Sequence, residues 1–327
     1  MLRLHARQGK RLAQTDGYDA YYAGAEANAC VLLSRLGVGV DYITVLPDNE
    51  IAITGVRQLR GQGVGTDNIV YRGEKLGVYF TEQGNGIRPT RVIYDRDGSS
   101  YAGMGPGVVN WRDCLEGVPY FHWSGIAAAV SQSAADACTE ALAVAREKGV
   151  RISADFNYRT TLWKYGKHPR EVMPQLLQHS SVAVADLDSA AVYYGIETDR
   201  SATFETRFRE CSAALQEKIP KLEVLAMSFR TPHGIQHSYS GALLYKGECY
   251  FSTCHELPFI TDQIGSGDAF TAGMLYGLMR ELPPQQIVDY AAACGALKQS
   301  IAGDWALITR AEVDQFILHG ASGRIIR

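Results

Sequence analysis

Apolar residues along this chain recur in two rhythms. Short runs at 41–46, 120–124, 151–155, 182–185 and 224–228 read as strands, and 182–185 is apolar throughout. Segments 27–36, 49–59, 131–148 and 203–218 carry apolar positions at helical spacing. Gly37 and Gly149 stand where helices stop, and Pro220 breaks the last of them. Further helices are predicted at 269–279, 284–300 and 310–318, a short one at 111–115, and a hairpin of 242–245 with 249–251 around Lys246-Gly247-Glu248. Leu2 and Leu4 alternate with Arg3 and His5 like the tail of a strand. This β–α alternation predicts an α/β protein with a mostly parallel central sheet and helices on both faces. Residues 69–101 break it. There 70–71, 76–80 and 91–94 are strand-like, separated by Gly and Pro with no helix between, which predicts a small antiparallel sheet standing off the main body.

Composition narrows the class. The chain has 327 residues, enough for one large α/β domain or two small ones, and 46% are hydrophobic, an ordinary globular value. A net charge of −3 without a long basic run argues against nucleic acid as an obligatory partner. No run of 18 apolar residues predicts a membrane span, and the first residues lack the apolar core of a signal peptide. Cys30, Cys114, Cys138, Cys211, Cys249, Cys254 and Cys294 are odd in number and include no Cys-x-x-Cys pair, which predicts reduced thiols in the cytoplasm. His233, His237 and His255 fit no metal spacing and read as surface or loop residues.

The densest chemistry lies at 261–273. Gly265 and Gly267 form a tight turn ahead of a helix. Such a turn leaves backbone N–H groups aimed one way, with the helix dipole behind them, and so makes an anion site. Asp268 reads either as a helix cap or as a carboxylate placed to take a proton from a hydroxyl attacking a phosphoryl group. Asp155-Phe156-Asn157-Tyr158-Arg159 follows a predicted strand, at the end that faces the ligand crevice in open α/β sheets, and is equally a polar loop with an Asx turn. Gly24 to Asn28 reads as a helix start, the Arg and Tyr residues of 69–101 as edge protection, and the small residues of 284–300 as close helix packing.

Asp262-x-x-Gly265-x-Gly267-Asp268-Ala269-Phe270-x-x-Gly273 resembles the C-terminal signature of the ribokinase-like (PfkB) carbohydrate kinases. The likeness runs from Met1-Leu2-Arg3-Leu4 to the Gly-x-Ser-x-Arg-Ile ending at 320–325. It implies one kinase domain over 1–327, with a lid formed mainly by about 12–23 and 69–101 that closes on the sugar and pairs subunits into a homo-oligomer. By the resemblance Asp268 is the catalytic base, and Gly265, Ser266 and Gly267 cradle the transferring phosphate. Gln263 stands where the family usually has Thr. Gly24 and Asn28 match the sugar-contacting Gly-Gly-Ala-x-x-Asn, with Ala23 in place of its first glycine. Asp-x-Asn-x-Arg places Asn157 near ATP and Arg159 at both phosphoryl groups and substrate. Ser228 and Arg230 fall at the start of the ATP-side loop, and Cys294 and Lys298 on the helix lining the adenine pocket. The family's Asn-x-x-Glu is Asp186-Leu187-Asp188-Ser189 here, so the cofactors implied are ATP and Mg²⁺ but no metal ligand set is assigned. Members also begin several residues earlier, with an apolar strand. Without it a central strand loses ladder pairing and apolar burial, which points to a start set too late or a trimmed chain.

Gly-Val-Tyr79-Phe followed by Tyr94-Asp-Arg96 is similar to the pattern of the family's 2-keto-3-deoxygluconate kinases, in which both tyrosines and the arginine hold the sugar acid; Asp304, after Gly303, carries over as a further substrate contact. A sugar acid brings a carboxylate that needs a cation with donor geometry, so Arg96 separates acid from neutral sugars. The leading expectation is ATP-dependent phosphorylation of the terminal hydroxyl of 2-keto-3-deoxygluconate. The alternatives are a kinase for fructose or ribose, or a silent sugar-acid or nucleotide sensor on the same fold. A Rossmann dehydrogenase is disfavoured because no Gly-x-Gly-x-x-Gly follows an early strand.

Overall fold

The computed structural model describes residues 1–7, 9–84, 88–233 and 236–320. The 320–325 ending, Gly320 apart, lies outside them. In chain order β1 (Leu2–Ala6) and β2 (Tyr18–Tyr22) lead to α1 (Ala25–Arg35), β3 (Thr44–Leu46), α2 (Glu50–Gly61) and β4 (Ile69–Tyr71). β5 (Val78–Glu82) and β6 (Arg91–Asp95) follow, then α3 (Trp111–Cys114), β7 (Tyr120–Ser124), α4 (Gly125–Ala129), α5 (Gln132–Glu147) and β8 (Arg151–Asp155). α6 (Pro169–Leu177), β9 (Val182–Val184), α7 (Leu187–Tyr194) and α8 (Phe204–Lys218) come next, then β10 (Val224–His233), β11 (Gln236–Tyr245), β12 (Glu248–Phe251) and β13 (His255–Leu257). α9 (Ser266–Met279), α10 (Pro284–Lys298) and α11 (Arg310–His319) complete the chain.

The main sheet runs β12-β11-β10-β9-β8-β7, with β13 also on β11. β7 to β10 are mutually parallel, and β11 runs against them. Both faces are covered by helices, which is why β9 and the start of β10 read as apolar runs rather than as alternating ones. Ile152, Ala154, Ala183, Leu225 and Met227 pack into one core with α5, α6 and α8. Val182, Val184, Val224 and Ala226, the intervening positions, pack into a second core with α1, α9 and α10. The period of two thus divides each strand between two helical layers. No helix among the described residues is long and apolar enough to cross a membrane.

A second sheet, β2-β1-β5-β6, is antiparallel except where β1 runs parallel to β5. Two expectations are corrected here. The first strand joins this small sheet, not the main one, and 70–71 leaves it, since β4 pairs in parallel with β3 as a separate two-stranded sheet. Local pattern marks a strand but carries no information about its partner. Between β7 and the 40–44 segment lies a cavity of about 470 Å³, lined by Tyr42, Ile43, Phe121 and Trp123. Among the described residues no further strand pairs with β7 on this side.

Candidate active site

A cleft of about 480 Å³ lies between the small sheet and the C-terminal ends of β8, β9 and β10, with the first turn of α9 in its wall. The turn before α9 has no side-chain cap. Gly265 is the N-cap, at φ 85°, and a Cβ on it would stand 2.1 Å from the Asp304 carbonyl oxygen. Glycine is therefore required there by the protein itself. Gly267 differs, because a Cβ there meets no protein atom within 4 Å and would project into open space. Asp262 Oδ1 accepts from the Ile264 N–H at 3.1 Å and so shapes the turn from the front. From the side, Arg230 donates to Gln263 Oε1 at 2.9 Å and to Ser266 Oγ at 3.0 Å. Gln263, the residue that departs from the family pattern, thereby has a defined partner.

Asp268 is not the cap of α9. It lies in the first turn, against the cleft, where Asn28 of α1 donates Nδ2–H to its Oδ2 at 2.6 Å. Burial raises its pKa to about 6, opposed by the Asn28 hydrogen bond and by Arg159. A carboxylate so poised, beside a helix N-terminus, suits general-base work near neutral pH.

On the small-sheet side, the Tyr79 and Tyr94 rings lie 5.7 Å apart and the Arg96 guanidinium sits 3.8 Å over the Tyr94 ring. Arg96 is 5% exposed, and among the described residues it has no carboxylate partner and its Nε has no acceptor. Burial lowers its pKa, partly offset by Tyr94. Asp304 is also buried, but both its oxygens are engaged by protein. Tyr79 donates its hydroxyl to Oδ1, and Arg3 donates to Oδ2 at 3.0 Å. Burial raises the Asp304 pKa, against the pull of Arg3 and of the Tyr79 hydrogen bond.

At the end of β8, Asn157 holds a left-handed conformation (φ 41°) with its buried Oδ1 unpartnered among the described residues. Arg159 is exposed in the cleft and anchored to the Tyr158 carbonyl at 2.8 Å. Asp155, the last residue of β8, has its pKa pushed well up by burial and then by neighbouring Asp268, against Arg159. Asp186 caps α7 and accepts from the Ser189 N–H at 2.7 Å and from the Ser189 hydroxyl at 2.5 Å. Ser189 is therefore a partner of the acid in its own helix turn. Among the described residues no three His, Cys, Asp or Glu side chains converge as a metal cage. Asp155 and Asp186 do line the cleft, and one or two carboxylates with phosphate oxygens and water are what Mg²⁺ commonly uses.

The structure thus brings Gly24, Asn28, Tyr79, Tyr94, Arg96, Asn157, Arg159, Ser228, Arg230, Gly265, Ser266, Gly267, Asp268 and Asp304 to one cleft. It places Cys294 and Lys298 elsewhere. Cys294 is buried between α9 and α10, so close that a Cβ on Gly273 would stand 3.0 Å from its Sγ, and burial raises its pKa. Lys298 donates to the Asp262 and Ile301 carbonyls, both at 3.0 Å, with its pKa lowered to about 8 by burial. Neither side chain lines the cleft: the Cys294 thiol packs against Gly273 of α9, and the Lys298 ammonium is taken up by two backbone carbonyls. Sequence reasoning assigned no role to Arg3, Asp155 or Asp262. It also missed Glu26, whose Oε1 accepts from the Ser124 N–H at 3.0 Å and hydroxyl at 2.6 Å. Asp262, Asp155 and Arg3 all stand within stretches that match the family, a usable signal that does not by itself name a role.

Comparison with known proteins agrees with this geometry. The pfkB family carbohydrate kinase model matches residues 2–304. The chain belongs to this family. A 2-dehydro-3-deoxygalactonokinase of Haloferax volcanii is 30% identical to this PfkB kinase, over 99% of this chain and 96% of its own. A 2-dehydro-3-deoxygluconokinase of Thermoproteus tenax is 27% identical, over 88% and 82%. The crystal structure of a 2-dehydro-3-deoxygluconokinase from Thermotoga maritima superposes with a TM-score of 0.92 at 30% identity, covering 97% of each chain. The fold is ribokinase-like, and the protein is a carbohydrate kinase.

Proposed function

We propose that this PfkB kinase transfers the γ-phosphoryl group of ATP to the terminal hydroxyl of a 2-keto-3-deoxy sugar acid, 2-keto-3-deoxygluconate first among them. Arg96 is the observation that carries the reading. A buried guanidinium without a carboxylate partner among the described residues is costly unless the ligand brings the anion. Tyr79 and Tyr94 line the cleft beside it, and the Tyr79 hydroxyl, which donates to Asp304, can still accept from the sugar. Neutral sugars leave that cation unpaired.

Asp268 removes the proton of the terminal hydroxyl as its oxygen attacks the γ-phosphorus. The bond from the γ-phosphorus to the bridging oxygen breaks, and ADP leaves. Asn28 keeps the Asp268 carboxylate turned to the cleft, and its own Oδ1, unpartnered among the described residues, is free for a substrate hydroxyl. The amides of the 265–267 turn and Arg159 face the charge that develops on the transferring group. Mg²⁺, when bound, would neutralise phosphate charge, with Asp155 and Asp186 as the residues to hold it. The small sheet acts as the lid that keeps water, a competing acceptor, out. Its exposed Tyr18 and Ile93 support pairing with a second copy. Seven unpaired cysteines are consistent with a cytoplasmic enzyme.

ADP release with Mg²⁺-ATP tests the reading, comparing 2-keto-3-deoxygluconate and its galactose-derived epimer with gluconate, fructose and ribose. Turnover confined to keto acids, and lost in Asp268→Asn, is expected. Turnover with a neutral sugar overturns the role of Arg96. Binding without ADP production turns the reading to a sensor.

A further inference from the structure

We propose that Arg3 is a positioning residue for phosphoryl transfer: from the first strand of the lid it holds together the carboxylate that shapes the phosphate turn and the carboxylate at the base of the sugar pocket. Arg3 is 1% exposed, the largest fully buried side chain among the described residues. Its Nη1 lies 2.7 Å from Asp262 Oδ2 and 3.0 Å from Asp304 Oδ2. Its Nε donates to Thr81 Oγ1 of β5 at 2.9 Å, and its Nη2 meets His5 Nδ1 at 3.2 Å. One planar fork therefore spans two lid strands and two loops, a geometry that lysine cannot reproduce.

What those loops carry makes the contact more than a fold clamp. Asp262 accepts from Ile264 N–H through Oδ1 and from Gly303 N–H through Oδ2 at 3.1 Å, so it stitches the entrance of the phosphate turn to the segment bearing Asp304. Gly265 packs against the Asp304 backbone itself. Lys298 braces the same loop from below through the Asp262 carbonyl. The turn amides, Asp304 and the Tyr79 hydroxyl that Asp304 accepts from are thus tied together through the Arg3 guanidinium, the one cation in direct contact with both carboxylates among the described residues. Without it, two buried carboxylates face each other, and the arrangement relaxes by protonation or by separation. Either movement displaces the turn amides from the position they need, where displacements near 1 Å cost about 100-fold in rate.

The inference rests on the kinase assignment and not on which sugar is phosphorylated. Arg3→Gln, Arg3→Lys, Asp262→Asn and the Arg3→Gln/Asp262→Asn double variant are compared with wild type on whichever acceptor the wild type turns over. The exchange rates of the Ile264 and Gly303 amide protons are measured in parallel without substrate. For Arg3→Gln, kcat is expected to fall about 100-fold, with faster exchange at both amides and a Tm that still shows a folded protein. Arg3→Lys should recover part of kcat, and the double variant should be no slower than the worse single variant. If Arg3→Gln does not fold, Thr81→Val, which removes the β5 anchor of the guanidinium together with the Thr81 contact to His5 Nδ1 at 2.8 Å, should lower kcat with unchanged KM for ATP. The proposal is overturned if folded variants keep the wild-type kcat, or if the single losses multiply in the double variant. Unchanged amide exchange overturns it even where no acceptor has been identified.

Discussion

Asn28 donates to Asp268 across 240 positions of sequence, at 2.6 Å, from the first helix to the ninth. The bond favours the ionised carboxylate and opposes the burial that raises its pKa to about 6. Removing it in Asn28→Ala forfeits a hydrogen bond to a charged group, worth about 1.5–3 kcal/mol, or roughly one to two pKa units. The acidic limb of kcat/KM should therefore move upward by at least about one pH unit, on top of a pH-independent loss from the missing contact of Asn28 with the substrate hydroxyl. An unmoved limb would mean that Asp268 is not the group titrating in the profile.

Asp268→Asn separates catalysis from stability. Loss of a general base lowers kcat by about 10²–10⁴. The stability effect has the opposite sign. The folded pKa, about 6, lies above the ordinary value of 3.8, so the carboxyl stabilises the fold most when protonated, and that contribution is lost as pH rises through 6. An amide, which never ionises, should then make the protein more stable than wild type above pH 6, by on the order of 2 kcal/mol, with no advantage below about pH 4. Thermal melts at pH 4 and 8 check this. A variant less stable at both would show that the carboxylate is better solvated than its surroundings imply.

How far such roles are legible in sequence depends on how local their causes are. Asp268 and its glycines are readable because a turn, a helix start and an acid within four residues already constitute a site. β9 and the first four residues of β10 are readable because burial on both faces leaves only apolar residues at 182–184 and 224–227. The role of Arg3 is not, because its partners lie 259 and 301 positions away and an arginine between two leucines has the pattern of any half-exposed strand. The same holds for Cys294 and Lys298. Their helix was recognised, but which of its faces meets α9 is decided by packing against Gly273 and Gly277. α7 escaped notice at eight residues, although Asp186 and Ser189 form a local cap that closes its first turn.

Arg96→Ala should raise KM for a keto sugar acid by roughly 10- to 100-fold, the scale of one charge-assisted hydrogen bond, while kcat changes less. Arg96→Lys should fall between, since an ammonium keeps the charge but gives up the stacking on Tyr94 and the planar fork. Steady-state kinetics with the acid and with its neutral C1-reduced analogue decide the matter. An equal effect on both would place Arg96 in the lid's structure and not against the carboxylate.

The two glycines of the phosphate turn should fail in different ways. Gly265→Ala forces a side chain into a left-handed backbone at φ 85° and drives its Cβ to 2.1 Å from the Asp304 carbonyl, so it should lower Tm as well as activity. Gly267→Ala meets nothing in the protein and lies inside the first turn of α9, where alanine is the better helix former by about 0.5–1 kcal/mol. Its Tm should hold or rise. Its methyl group, however, occupies the space that the transferring phosphate needs, so kcat should fall by more than tenfold, a barrier increase above about 1.4 kcal/mol. Thermal melts and ADP release on the two variants give four readings. Gly267→Ala with full activity would remove the phosphate from this turn, because no other constraint in the structure asks for a glycine there.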